Sequence, residues 1–343
     1  MKTRLPIAFI AIFLITINLS AQNLSEKATT FLESLSDDLR SKASFSLDDE
    51  ERYNMKYVPI SRKGPRFHDF NETQKAAAID LLKSSLSEEG YRKSKDIMSL
   101  EKVLRIIEDD DNDIMPDGRP RRDPLNYHFL IFGDPASGTP WGWKFEGHHL
   151  SLNFTSTDGK ITSATPIFFG TNPGLIKITG HKEKEVLKKE TALSFKLVNS
   201  LSSAQLKKAK FADIAPEEII TTTIRKVENF EQKGIFYNDF TADQKDTFNE
   251  LLDLYMNNYE KNFSEEYRAK IKKAGIENLS FSWAGSLEPG TPNYWCIQGP
   301  VLIIEYDNTQ TDSNHVHTVV RDPTNDYGED TLKKHYEKGH HKK

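Results

Sequence analysis

The chain can be laid on itself twice in the same order, and this constrains its fold more than any other feature of the sequence. Residues 63–82, KGPRFHDFNETQKAAAIDLL, fall without a gap on residues 233–252, KGIFYNDFTADQKDTFNELL; Lys63/Lys233, Gly64/Gly234, Asp69/Asp239, Phe70/Phe240, Gln74/Gln244 and Leu81/Leu251 are identical. Residues 129–157 fall in the same way on residues 281–309, sharing Phe129/Phe281, Gly133/Gly285, Gly138/Gly290, Pro140/Pro292, Trp143/Trp295 and Gly147/Gly299. Collinear matches that keep Gly, Pro and Trp at fixed offsets imply a duplicated unit. Each copy opens on a helix-capping pair, Asn71 with Gln74 and Thr241 with Gln244, and ends in strands.

Periodicity supports the same division. Leu24, Ala28, Leu32, Leu35 and Leu39 recur at three- and four-residue steps, which predicts an amphipathic helix ending near Ser41. Helical spacing recurs over residues 97–107, 182–201 and 241–273, while strand patterns follow Tyr127 and fill residues 279–320, with Asp158-Gly159 as a hairpin turn. The expected fold class is α+β, with two internally duplicated helix-then-strand halves packed as one pseudo-twofold body. The expected divisions are a leader (1–21), an N-terminal helical segment (22–62), a first α+β repeat (63–180), connecting helices (181–232), a second α+β repeat (233–330) and a basic tail (331–343).

The leader has Lys2 and Arg4 before an apolar run from Leu5 to Leu19 and then Ser20-Ala21, the build of a secretory signal peptide. The run is shorter than the ~20 residues of a spanning helix. A secreted or periplasmic protein is therefore expected, without stable membrane insertion after cleavage. A net charge of −5 with both signs interspersed excludes a general nucleic-acid binder. Cys296, the single cysteine, precludes an intramolecular disulfide and reads as a small buried hydrophobe.

Candidate chemistry gathers in two stretches, residues 146–153 and 314–322. On a strand, His315 and His317 point to the same face, which is ligand geometry for a divalent transition metal such as zinc, copper or iron. In a regular strand His148 and His149 would point to opposite faces, so only one could join them; His149, sharing its face with Ser151 and Asn153, is the better candidate. Glu146 is a candidate ligand or base, while Asn314, Arg321 and Asp322 could orient imidazoles or bind an anionic substrate. These residues suggest a metal-dependent hydrolase or oxidoreductase acting on a small molecule or polymer fragment. The competing expectation is a non-catalytic module in which Trp141, Trp143, Trp283 and Trp295 stack a sugar or peptide. Residues 109–113, DDDND, lack the ligand spacing of a helix-loop-helix calcium site and read as a solvated loop. The tail histidines His335, His340 and His341 read likewise as solvated.

The segments WGWKFEGHHLSLNFT, PIFFGTNP, IEYDNTQTDSNHVHTVVRD and DYGEDTLKKHY together resemble the bacterial family of domain of unknown function 3500. The resemblance covers nearly all of the mature chain and implies a secreted or periplasmic protein; it brings no activity with it.

Intact-mass measurement on protein from the native host should give a mature chain starting at or near Gln22, outside the cytoplasm. A full-length mass in the membrane fraction would contradict the leader assignment.

Overall fold

Most of the described α-helices start where a side-chain oxygen takes up one of their first free N–H groups. The computed structural model describes residues 19–109, 113–178, 184–228, 230–330 and 332. Most of the leader, three residues of the acidic loop and nearly all of the tail lie outside the described residues. Helix α1 (Leu19–Ser34) is followed at once by α2 (Asp37–Ala43), because Ser36 accepts the Leu39 N–H and opens a new helix. The single helix expected to run to near Ser41 is thus two. After the short strand β1 (Ser44–Phe45) come α3 (Glu72–Ser85), with the Asn71/Gln74 capping box formed, and α4 (Glu88–Glu108). Helix α4 begins well before the apolar spacing at Ile97 because Ser87 caps it through the Gly90 N–H.

Strands β2 (His128–Phe132), β3 (Trp141–Gly147), β4 (Leu150–Thr157), β5 (Lys160–Ser163) and β6 (Ile167–Thr171) follow. Then come α5 (Lys188–Asn199), α6 (Ser203–Ala209), β7 (Lys210–Ala212), β8 (Ile235–Phe236), α7 (Ala242–Met256) and α8 (Lys261–Ala274). The last strands are β9 (Ser280–Gly285), β10 (Asn293–Gly299), β11 (Leu302–Gln310) and β12 (His315–Arg321). The result is an α+β fold around a 12-stranded mixed sheet of order β1-β2-β3-β4-β6-β12-β11-β10-β9-β7, with β5 on β4 and β8 on β9. Among the described strands, only β1·β2 and β7·β9 are parallel.

Read outward from the antiparallel β6·β12 pair, the two arms of the sheet keep the same register. Ile131 faces Trp143 and Trp143 faces Phe154 in one arm, and Trp283 faces Trp295 and Trp295 faces Tyr306 in the other. Trp143 stacks on Phe154 with centroids 4.6 Å apart, and Trp295 on Tyr306 at 5.4 Å. Gln74 Nε2 donates to the Ser34 carbonyl at 3.0 Å and Gln244 Nε2 to the Ser200 carbonyl at 2.8 Å.

Strand alternation gives the sheet two unlike faces. Helices α1, α3, α4, α5, α7 and α8 cover one face and bury Phe129, Trp143, Phe145, Leu152, Phe169, Trp283, Trp295, Ile297, Ile304, Val316 and Val320 against themselves. Each large side chain removed from water there contributes roughly 1.5–3 kcal/mol. The opposite face carries Lys144, Glu146, Ser151, Asn153, Glu305, Asp307, His317 and Arg321, all buried. Loops cover it, with Met55, Tyr57 and Ile219 packing on Phe168 and Val319.

Glycine is required where loop meets sheet. Gly64 and Gly234 sit at φ +82° and +104°, and a Cβ on either would collide with the carbonyl of Phe129 or Phe281. Gly234→Ala should therefore lower the unfolding free energy by about 3 kcal/mol or more, measured by chemical denaturation. Gly118→Ala, at φ +81° but with nothing within 4 Å of the added carbon, should cost about 1 kcal/mol. Equal small losses in both variants would contradict the packing argument.

Candidate metal centre

Strand β12 sends Val316 and Val320 into the helix-side core and His317 to the other face. His315 is the first residue of the strand, and its N–H donates to Asn308 Oδ1 at 3.2 Å. The turn before it is strained: Thr311, Asp312 and Ser313 take φ of +53°, +52° and +57° in succession. Such a conformation costs about 1 kcal/mol or more for each residue with a Cβ.

The third histidine reaches the cluster from a turn rather than from a strand. Gly147 pairs with Leu150, so His148 and His149 are the two residues of a tight turn between β3 and β4, where side chains do not alternate between faces. His149 has φ +60°. Its N–H donates to the Tyr57 carbonyl at 2.7 Å, and its carbonyl accepts from the Gly170 N–H at 2.7 Å. These bonds fix the turn between a covering loop and β6, and swing the His149 ring over β12.

Three Nε2 atoms converge there. His315 Nε2 lies 2.8 Å from His149 Nε2 and 3.1 Å from His317 Nε2. Three imidazoles on a tetrahedral metal with bonds of about 2.05 Å would have nitrogens about 3.3 Å apart; the two His315 separations are close to that, and the ligand atoms of all three residues lie within 4.8 Å of one another, so the set could hold a transition-metal ion. Burial, reinforced by the neighbouring imidazoles, pushes His149 well below its ordinary pKa and His315 down to about 3. Both rings are thus neutral, with lone pairs free to ligate. His149 and His317 are buried, while His315 is partly exposed and leaves a side open to solvent.

Two carboxylates complete the surroundings. His317 Nδ1 lies 2.8 Å from each oxygen of Glu218, which fixes the ring so that Nε2 faces the other histidines. Asp307 is the cross-strand partner of His317. Burial, then the charge of Glu218, pushes its carboxyl up to about 8. Tyr57 stacks on Phe168 with centroids 3.9 Å apart and meets His317 edge-on at 5.4 Å, walling the site. Glu218 belongs to a loop far from both histidine stretches in sequence, and no motif marked it. Asp307 lay inside the DNTQ segment, and its alternation with Glu305 on a buried strand was the available signal.

The remaining candidates are placed apart from this cluster. His148 turns away: its Nδ1 is 2.6 Å from Glu101 Oε1 and 3.0 Å from an Arg122 nitrogen, though its ring stacks on His149 at 3.7 Å. It borders a cleft of about 790 Å³ whose walls include Arg62, Arg66, Arg119 and Arg122. Glu146 accepts the Lys56 N–H at 3.2 Å and sits 3.8 Å from the Lys144 ammonium. Arg321 pairs with Asp326 at 2.7 Å and donates to the Ile224 and Arg225 carbonyls, at the far end of β12 from His315. Asp322 binds the Lys270 ammonium and caps Thr324, while Asn314 holds Leu175 through both backbone groups. All four tryptophans are at most 1 % exposed, so none offers a surface for stacking. Cys296 is buried, and burial pushes its thiol well up.

The loop carrying Glu218 is held from beneath by Glu305. That fully buried carboxylate accepts the Ile220 N–H at 2.5 Å, the Thr221 N–H at 3.0 Å, the Thr221 hydroxyl and the Tyr294 hydroxyl at 2.8 Å.

A family model described as "Protein of unknown function (DUF3500)" matches residues 18–329, and the chain belongs to that family. No curated protein and no solved structure matches it.

Glu305→Ala would strip these donors of their acceptor and leave buried N–H groups unsatisfied, at a cost of roughly 3 kcal/mol or more. Hydrogen exchange followed by mass spectrometry should then show faster exchange across residues 217–222. Unchanged protection there would contradict the clamping role of Glu305.

Proposed function

We propose that this DUF3500 member is an exported metal-dependent enzyme that catalyses a hydrolytic or oxidative reaction on a small molecule or polymer fragment at the His149/His315/His317 cluster. The observation that carries the reading is the convergence of three Nε2 atoms, two of them on rings held neutral by burial. Three protein nitrogens with one side open correspond to a catalytic rather than a closed structural coordination shell. A bound divalent metal would supply a Lewis acid and lower the pKa of water at that open side.

The chain's own groups then have distinct tasks. His149 and His315 offer neutral lone pairs, and Glu218 keeps the His317 ring turned toward them. Tyr57 and Phe168 exclude water from one flank. Burial of all four tryptophans removes the stacking surface that a sugar- or peptide-binding module would need.

We read the two arms of the sheet as a duplicated unit related by an approximate twofold along β6·β12. The shared register, the paired capping boxes and the glycines at positive φ support that reading. In it, Pro300 and Val301 stand in the β10–β11 turn where His148 and His149 stand in the β3–β4 turn, so one composite site is expected rather than two. Export rests on the leader of the sequence.

Elemental analysis of protein purified without a polyhistidine tag tests the metal reading. Wild type reconstituted with zinc, copper or iron should retain at least one equivalent, and the His315→Ala/His317→Ala variant should lose it. If both lack stoichiometric metal, the histidines are structural polar residues and the proposal fails.

A further inference from the structure

Resting on the three-histidine reading above, the other nitrogen of His317 faces a second set of ligands. His317 Nδ1 lies 2.8 Å from both Glu218 oxygens, and Asp307 stands opposite His317 in the β11·β12 ladder. Ligand atoms of Glu218, Asp307 and His317 all lie within 4.8 Å of one another. Asp307 is 0 % exposed; its Oδ2 accepts the Thr309 hydroxyl at 3.2 Å, but its Oδ1 has no hydrogen-bond partner. A buried carboxylate oxygen without a donor is costly, and here the nearby charges of Glu218 and Glu305 are of the same sign. A cation between Asp307 and Glu218 would reverse both penalties at once.

We propose that Glu218, Asp307 and Nδ1 of His317 form a second divalent-cation site, so that the His317 ring bridges two metal ions. Binding of the second ion displaces the proton from Nδ1 to solvent, and the resulting imidazolate gives one lone pair to each ion. Mixed nitrogen and oxygen donors suit zinc or copper. The Glu218 side chain is 28 % exposed and lies on a loop, which gives the ion a way in from solvent. The ring's orientation toward His149 and His315 is kept through the exchange, because an ion ligated by Glu218 takes the place of the Nδ1 proton that Glu218 accepts in its absence.

Copper titration of the tag-free, metal-stripped full-length protein, read by elemental analysis and electron paramagnetic resonance, tests this. The His315→Ala/His317→Ala variant supplies the background from the tail histidines. Wild type should take up two equivalents above background, and the resonance that grows with the first should fall as the second enters, because imidazolate couples the two spins. Asp307→Asn should take up one equivalent with full intensity. Glu218→Gln keeps an amide oxygen that accepts from His317 Nδ1–H and so keeps the ring turned, but it removes the second ion's charged ligand; it should do the same and serves if Asp307→Asn fails to fold. One equivalent in wild type, two with additive intensity, or a second equivalent kept by both variants overturns the bridged site and leaves the three-histidine site standing. No copper above background overturns both.

Discussion

The face of the sheet turned away from the helices is held by buried charges bonded to loop backbone. Loops crossing a buried sheet face bring N–H and C=O groups that must find partners. Here the strands provide them: Lys144 donates to the Glu51 and Asn54 carbonyls, Glu146 accepts from Lys56, Glu305 from Ile220 and Thr221, and Arg321 donates to Ile224 and Arg225. Removing any of these charged groups would leave both a side-chain partner and a backbone group unpaired. Those bonds tie the loops to the polar face, where Tyr57 stacked on Phe168 adds a small apolar patch.

The histidine cluster depends on this arrangement. His149 is positioned by Tyr57, whose loop is tied down through Lys144 and Glu146; Glu218 is positioned by the loop tied down through Glu305. His315 and His317 belong to β12 itself, paired on both sides by β6 and β11. Burial keeps the His149 and His315 rings neutral, and the strained turn at residues 311–313 delivers His315 beside His149 and His317. The sheet supplies precision, the clamped loops supply the walls, and the exposed edge of His315 supplies access.

Much of this was legible in the sequence, and the gaps have physical causes. The α+β class followed from periodicity, and the shared face of His315 and His317 followed from strand alternation. Strand parity favours His149 over His148, but the pair forms a turn, and its geometry comes from φ +60° rather than from parity. Glu146 and Arg321 attracted notice as charged residues beside histidines, and the structure puts them to holding loops. Glu218 could not be found from sequence because its position depends on a loop folding back over β12, which no local pattern encodes. The break between α1 and α2 at Ser36 is masked in the sequence by apolar spacing that continues across the capping serine.

A metal ion held by three imidazoles has its own spectroscopic signature. X-ray absorption spectroscopy on tag-free protein loaded with one equivalent of zinc reads it. The expected first shell is three imidazole nitrogens at about 2.0–2.1 Å with one light-atom ligand and the multiple-scattering pattern of the rings. A first shell of oxygens alone, with no imidazole scattering, would contradict it.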